Sequence, residues 1–208
     1  MNETLNKELK ILESLVQQMD FTRAEVYSQW LAQTYFFVRH STRLLNLSSA
    51  LTPFELQFFH LRANDHAKEE RSHEKLLETD LKNLGLEVSE FPEHASTKSF
   101  YQSQYFCIEH QHPLSFLGYV LLLETLPLTA GKRLLPIIEG QFGKSASNFI
   151  RIHSQEDVGH IESLKAVIER LDQNVIVLIR QNLAQSAFGY GRILEEIIRK
   201  TSQKKVAA

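Results

Sequence analysis

Apolar residues recur along almost the whole chain at helical spacing, and stretches that alternate apolar with polar are absent. The pattern predicts an all-α fold of seven helices, over residues 3–18, 22–45, 52–84, 97–109, 113–126, 145–171 and 174–200. Thr22 with Glu25 three positions on reads as the N-cap of the second helix. Thr52-Pro53 reads as cap and first-turn proline of the third, and Gly85 as its stop. Pro113 opens the fifth helix, which should bend or break near Pro127 and Gly131. Only eight glycines and five prolines are present and none form a linker, so the expectation is one domain over 1–200 with 201–208 as a frayed basic tail.

Two of these helices carry the same polar interruption. Residues 66–73 read HAKEERSH and residues 153–160 read HSQEDVGH, both fitting His-x3-acid-x2-His. On a helix, positions i, i+4 and i+7 lie within about 60° of one another. His66, Glu70 and His73 therefore share a face, as do His153, Asp157 and His160. Each face is apolar beyond the triplet: Phe59, Ala63, Leu77, Leu81 and Leu84 flank the first, and Phe149, Ile150, Leu164, Val167 and Leu171 the second. A third inward acid stands in LGYVLLLETLPL, apolar nearly all round, where Leu117, Val120, Leu121 and Leu128 surround Glu124.

A carboxylate in a core is strongly unfavourable unless it is paired or bound to a metal. Three helices aiming imidazoles and carboxylates inward suit iron or manganese better than zinc, with enough donors for two ions. A central Glu124 could bridge them. A lone Glu-x-x-His is usually surface decoration, and a buried hydrogen-bond network is the other reading of the triplets; their conjunction points to metal. Glu69 is an alternative to Glu70, better placed for a solvated role. His66 is either a ligand or a residue that orients one. His110 and His112 read as exposed or capping, and His40, His60 and His94 as structural. Cys107 has no basic neighbour to activate it and reads as a buried, inert thiol. Tyr101, Tyr105 and Tyr119 are core residues or cavity lining.

Composition narrows the picture further. A net charge of −2 gives no footing for nucleic acid or an acidic membrane surface. A single cysteine rules out an internal disulfide and fits a reducing compartment. The polar start MNETLNKELK lacks the form of a signal peptide, and the longest apolar run, Tyr119 to Leu123, is short of a membrane span. The expectation is a cytoplasmic protein with no membrane partner.

Taken together, HAKEERSHEKLLETDLKNLG, HPLSFLGYVLLLE and HSQEDVGHIESL resemble the heme-oxygenase-like non-heme diiron oxidases and oxygenases, in the right order over roughly residues 41–171. The resemblance implies a seven-helix heme-oxygenase-like bundle and two Fe(II) per chain with dioxygen as co-substrate. It implies ligands at Glu70, His73, Glu124, His153, Asp157 and His160. It also implies oxidation of a small organic molecule, an electron donor of unspecified kind, and a homodimer. Some members carry a glutamate where this chain has His66, which leaves the ligand set of the first iron open. Metal-free relatives of the same superfamily, the thiaminase-like (TenA) hydrolases and the quinone-cofactor (PqqC) synthase, are the rival reading. The hydrolases want a cavity cysteine, for which Cys107 is poorly placed. Heme oxygenase proper needs a proximal histidine near the N-terminus, and the first 39 residues contain none. A non-enzymatic iron-binding protein is the remaining alternative.

Overall fold

The computed structural model describes residues 1–203, with side chains described for all of these except residues 155–160, 163 and 203. The described residues form ten α-helices and no strand: α1 Asn2–Gln17, α2 Ala24–Val38, α3 Ser41–Leu51, α4 Gln57–Glu69, α5 His73–Asn83, α6 Ala95–His110, α7 Leu117–Leu126, α8 Lys132–Phe142, α9 Asn148–Ile168 and α10 Gln173–Gln203. Seven predicted segments become ten helices because two of them break and α8 continues the fifth.

The second predicted helix splits at Arg39-His40 into α2 and α3. Neither glycine nor proline marks the break. His40 supports it from the side, its ring stacked 3.9 Å from Tyr101 and its Nδ1 2.9 Å from the Tyr105 hydroxyl. The third predicted helix starts later than expected. Thr52 closes α3, donating to the Ser48 carbonyl, and Pro53 leads into a 3-10 turn at Phe54–Leu56 before α4. Thr22 is likewise not a cap: its hydroxyl donates to Asp20, and Arg23 holds the cap position of α2. Pro127 does not end the fifth helix. A π-helical turn, Pro127–Gly131, carries α7 into α8, accommodating the ring and the missing N–H by widening one turn. The whole stretch Pro113–Phe142 is long and apolar enough to cross a membrane by length and composition. Yet 72% of its apolar window is buried in the bundle, as befits a central helix.

The α7 helix is buried on nearly every side. It crosses α10 at Gly118, where a Cβ would lie 2.5 Å from the Leu183 nitrogen and nearer still to the Ile179 carbonyl oxygen. Only glycine permits that approach. The crossing is fixed by Asn182 of α10, whose Oδ1 accepts from the Tyr119 N–H at 2.8 Å and whose Nδ2 donates to Gln104 of α6 at 2.8 Å. The α10 helix runs past the predicted end at 200, to Gln203, with Thr201 buried against its own last turns. Residues 204–208, the rest of the expected tail, lie outside the described residues.

Candidate metal centre

The third predicted helix breaks inside the HAKEERSH motif itself. The last α4 bond runs from the Glu70 N–H to the His66 carbonyl, the chain tightens through Arg71, and Ser72 takes a left-handed conformation with φ +74°. His73 then opens α5. The expected single stripe of His66, Glu70 and His73 is thus corrected: the first two belong to α4 and its end, and the third starts a new helix. The turn costs a serine about 1–2 kcal/mol, and it leaves the His73 ring against Glu70, with Nδ1 3.4 Å from Oε2. The apolar stripe on either side survives, since Phe59, Ala63, Leu77 and Leu81 are all buried.

Four helices converge here. The α4 helix brings His66 and, at its end, Glu70; α5 brings His73; α7 brings Glu124; α9 brings His153. One ligand atom each from Glu70, His73 and His153 lie within 4.8 Å of one another, and the same holds for His66, Glu70 and Glu124. Glu70 belongs to both groups. One of its oxygens lies 3.8 Å from His66 Nε2 and the other 3.4 Å from His73 Nδ1. The sequence pattern favours Glu124 as the carboxylate between two ions; among the described residues Glu70 is the one common to both groups. Glu124 meets His66, its Oε1 3.0 Å from Nε2. Glu69 turns away and pairs with Arg62 at 3.1 Å. The side chains of Asp157 and His160 lie outside the described residues, though the backbone that carries them is part of α9.

The donors are tuned as a metal site requires. His153 Nδ1 donates to the Phe149 carbonyl at 2.8 Å, one turn back on α9. That bond fixes the tautomer and leaves Nε2 as the nitrogen with the lone pair. Burial lowers the His153 pKa despite the Glu70 charge, which favours the neutral ring a metal needs. Burial pushes the Glu70 carboxyl up, but the His73 contact and charge more than offset it and hold Glu70 below the usual glutamate range. The His73 and His153 rings meet edge-on with centroids 4.8 Å apart. Imidazoles beside a carboxylate held ionised, with a second acid in reach, form a hard N/O donor set that fits ferrous iron.

Asp80, which the sequence pattern does not single out, holds this arrangement from behind. It sits on α5, fully buried; its oxygens accept from the Asn148 and Phe149 N–H groups at 2.9 Å each and from Asn148 Nδ2 at 2.8 Å. Those N–H groups are orphan donors at the start of α9. Asp80 thus ties the helix of His73 to the helix of His153. Its one sequence signal is an acid between Leu77 and Leu81 on an otherwise apolar face.

Other expectations find their places. His112 caps the turn at Pro113, accepting from the Leu114 N–H at 3.1 Å. His60 bonds Ser49 and Asn64, away from the cluster. His94 is buried, with neither ring nitrogen hydrogen-bonded among the described residues. Cys107 is buried and burial raises its thiol pKa, so it is unreactive. Beside the cluster lies a cavity of about 120 Å³, lined by His66, Glu70, Glu124 and His153 together with apolar and aromatic side chains that include Trp30 and Tyr119.

The all-α bundle has the heme-oxygenase-like fold, with a carboxylate–imidazole cluster in its interior. The model of the iron-containing redox enzyme family matches residues 28–187, and the chain belongs to that family. A heme-oxygenase-like domain of unknown function from Shewanella denitrificans superposes with a TM-score of 0.85 at 17% identity, covering 98% of this chain and 94% of that one. A TenA homologue from Pyrococcus furiosus gives 0.72 at 16% identity, covering 95% and 98%. A TenA homologue from Pseudomonas syringae gives 0.75 at 10% identity, covering 95% and 90%. At such identities these structures establish the fold alone. No curated protein matches the chain.

Proposed function

We propose that this chain is a cytoplasmic non-heme diiron oxidase or oxygenase that uses dioxygen to oxidise a small organic molecule. The observation that carries the reading is Glu70, whose two oxygens face two different groups of candidate ligands. Glu70, His73 and His153 would hold one Fe(II), and Glu70, Glu124 and His66 the other. Asp157 and His160 join them on the strength of the sequence pattern. Bound iron would supply the electrons and Lewis acidity for reaction with dioxygen, chemistry no side chain here provides.

The protein's own contribution follows from the contacts. The Phe149 carbonyl holds the His153 ring in one tautomer and orientation. His66 and Glu124 restrain each other across α4 and α7. The apolar walls of the cavity exclude water from the reacting atoms and orient the substrate. An external electron donor completes the cycle, and a homodimer is the expected assembly.

The TenA homologues among the similar folds favour a second reading, a metal-free enzyme using the cluster for acid–base work. Cys107 does not line the cavity and is buried elsewhere, which leaves a hydrolase of that kind without its thiol. Oxygen consumption by the iron-loaded chain with candidate substrates tests the proposal. Turnover beyond one equivalent of the bound iron is expected; activity unchanged by a ferrous chelator would support the metal-free enzyme, and a single stoichiometric oxidation would leave only iron binding.

A further inference from the structure

We propose that a second, smaller cavity docks dioxygen and delivers it to the cluster separately from the molecule in the main cavity. That the space takes an apolar gas stands on its own walls; that the gas is dioxygen rests on the functional reading above.

The first support is the lining. The cavity measures about 20 Å³ and lies between α3, α4, α7 and α9. Seven of its ten described lining residues are apolar, and all seven are buried. One water-sized sphere needs about 10–15 Å³, so a single small molecule fits and nothing larger does. Water itself is a poor occupant, because it needs roughly two to four polar partners. The three polar residues here are already engaged: His66 Nε2 lies 3.0 Å from Glu124 Oε1, and Arg62 pairs with the exposed Glu69 at 3.1 Å. Apolar spaces of this kind stay dry and accept apolar guests such as xenon. Dioxygen is such a guest: it is uncharged, has no dipole, and dissolves better in hydrocarbon than in water. Ions held by Glu70, His66 and Glu124 leave that preference in place, because the gas carries no charge and Glu70 does not line the space.

The second support is position. His66 and Glu124 line this cavity and the main one alike, and so do Leu45 and Val120. Glu70 lines the main cavity only. The two spaces therefore stand back to back, with the His66–Glu124 pair and the Leu45 and Val120 side chains as the partition. A substrate that fills the main cavity leaves no room there for a second reactant. A gas held behind the partition reaches the cluster without crossing the substrate, and two aliphatic side chains are all that must turn to let it through. Packed cores contain few voids, and this one abuts two of the candidate ligands.

Xenon is the probe, and its position is the readout, because the apolar main cavity is also open to xenon. Crystals of the full chain, metal-free and iron-loaded, are pressurised with xenon and its anomalous scattering is mapped. A xenon peak between Ala63, Val120 and Leu164 is expected in both forms. Ala63→Val and Val167→Ile add methyl groups to walls from two different helices, and neither residue lines the main cavity. Each variant should lose that peak and keep xenon in the main cavity, so the test survives if one of them fails to fold. Loaded with ferrous ion and mixed with dioxygen, each should oxidise its iron more slowly than the wild type at unchanged iron stoichiometry. Absence of xenon at that position, an ordered water there in its place, or variants that exclude xenon yet oxidise iron at the wild-type rate would each overturn the inference. Xenon at this position in a chain that takes up no iron would sustain the gas pocket and sink the diiron reading. Iron uptake with no xenon there would do the reverse, so the two failures are separable.

Discussion

Asp80→Asn should weaken both the fold and the iron site, and the size of the effect can be worked from its three bonds. In the wild type Oδ1 accepts from Asn148 N and Nδ2 and Oδ2 accepts from Phe149 N, with no solvent in reach. Asparagine keeps the shape and one acceptor but turns an NH₂ toward the Phe149 N–H, or toward both Asn148 donors if the amide flips. One charge-assisted bond is lost, about 1.5–3 kcal/mol, and a buried donor is stranded at a similar cost. Burial holds the Asp80 carboxyl above the usual aspartate range, so relief of that desolvation returns part of the loss. The net expectation is about 2–3 kcal/mol, or a melting temperature lower by roughly 4–12 °C for a chain of this size. Urea denaturation of the metal-free chain measures it directly. The site should respond as well. Phe149 receives the Asp80 bond at its N–H and holds His153 through its carbonyl at 2.8 Å. Iron affinity per folded molecule should therefore fall. A variant within about 0.5 kcal/mol of wild type, with unchanged iron affinity, would refute the idea that Asp80 fastens α9 to α5.

His153→Ala and Glu124→Ala should each weaken iron binding and abolish activity, while His94→Ala, away from the cluster, retains iron when folded; metal analysis after gel filtration separates them. Glu124→Ala leaves His66 without its carboxylate neighbour and opens a cavity beside it, so it should also melt lower than wild type in chelator. Gly118→Ala forces a Cβ into the α10 backbone and should cost about 3 kcal/mol in urea denaturation, as α7 is pushed away. The fold should also weaken in mild acid. Burial lowers the His94 pKa, so the unfolded chain binds the proton more tightly; this stability is complete above the unfolded value of about 6.5 and is lost as pH falls toward the folded one. Thermal melts across that range should show the loss, and His94→Phe should flatten it.

The helical class and the inward faces were legible in the chain because burial imposes a 3.6-residue period on every packed helix. The apolar stripes through Phe59, Leu77, Phe149 and Leu164 are buried as expected. Helix breaks were not legible where the cause is tertiary. Nothing local at Glu70–Arg71–Ser72 or Arg39–His40 forbids a helix; His40 breaks its helix in company with Tyr101 and Tyr105, which are distant in sequence. The convergence of Glu70, His73, Glu124 and His153 could be anticipated from buried charge alone. That Glu70 stands in both groups could not, because it depends on how α5 and α7 pack against the end of α4. Asp80 acts through contacts with remote segments, and spacing along one helix carries no record of them.

Anaerobic titration of ferrous ion into the metal-free chain, read by calorimetry and by metal analysis, tests the shared role of Glu70 most directly. Two ions per wild-type chain are expected, with both lost in Glu70→Ala and both kept in Glu69→Ala. Full loading of Glu70→Ala, or a wild-type chain that takes up no iron, would contradict the account.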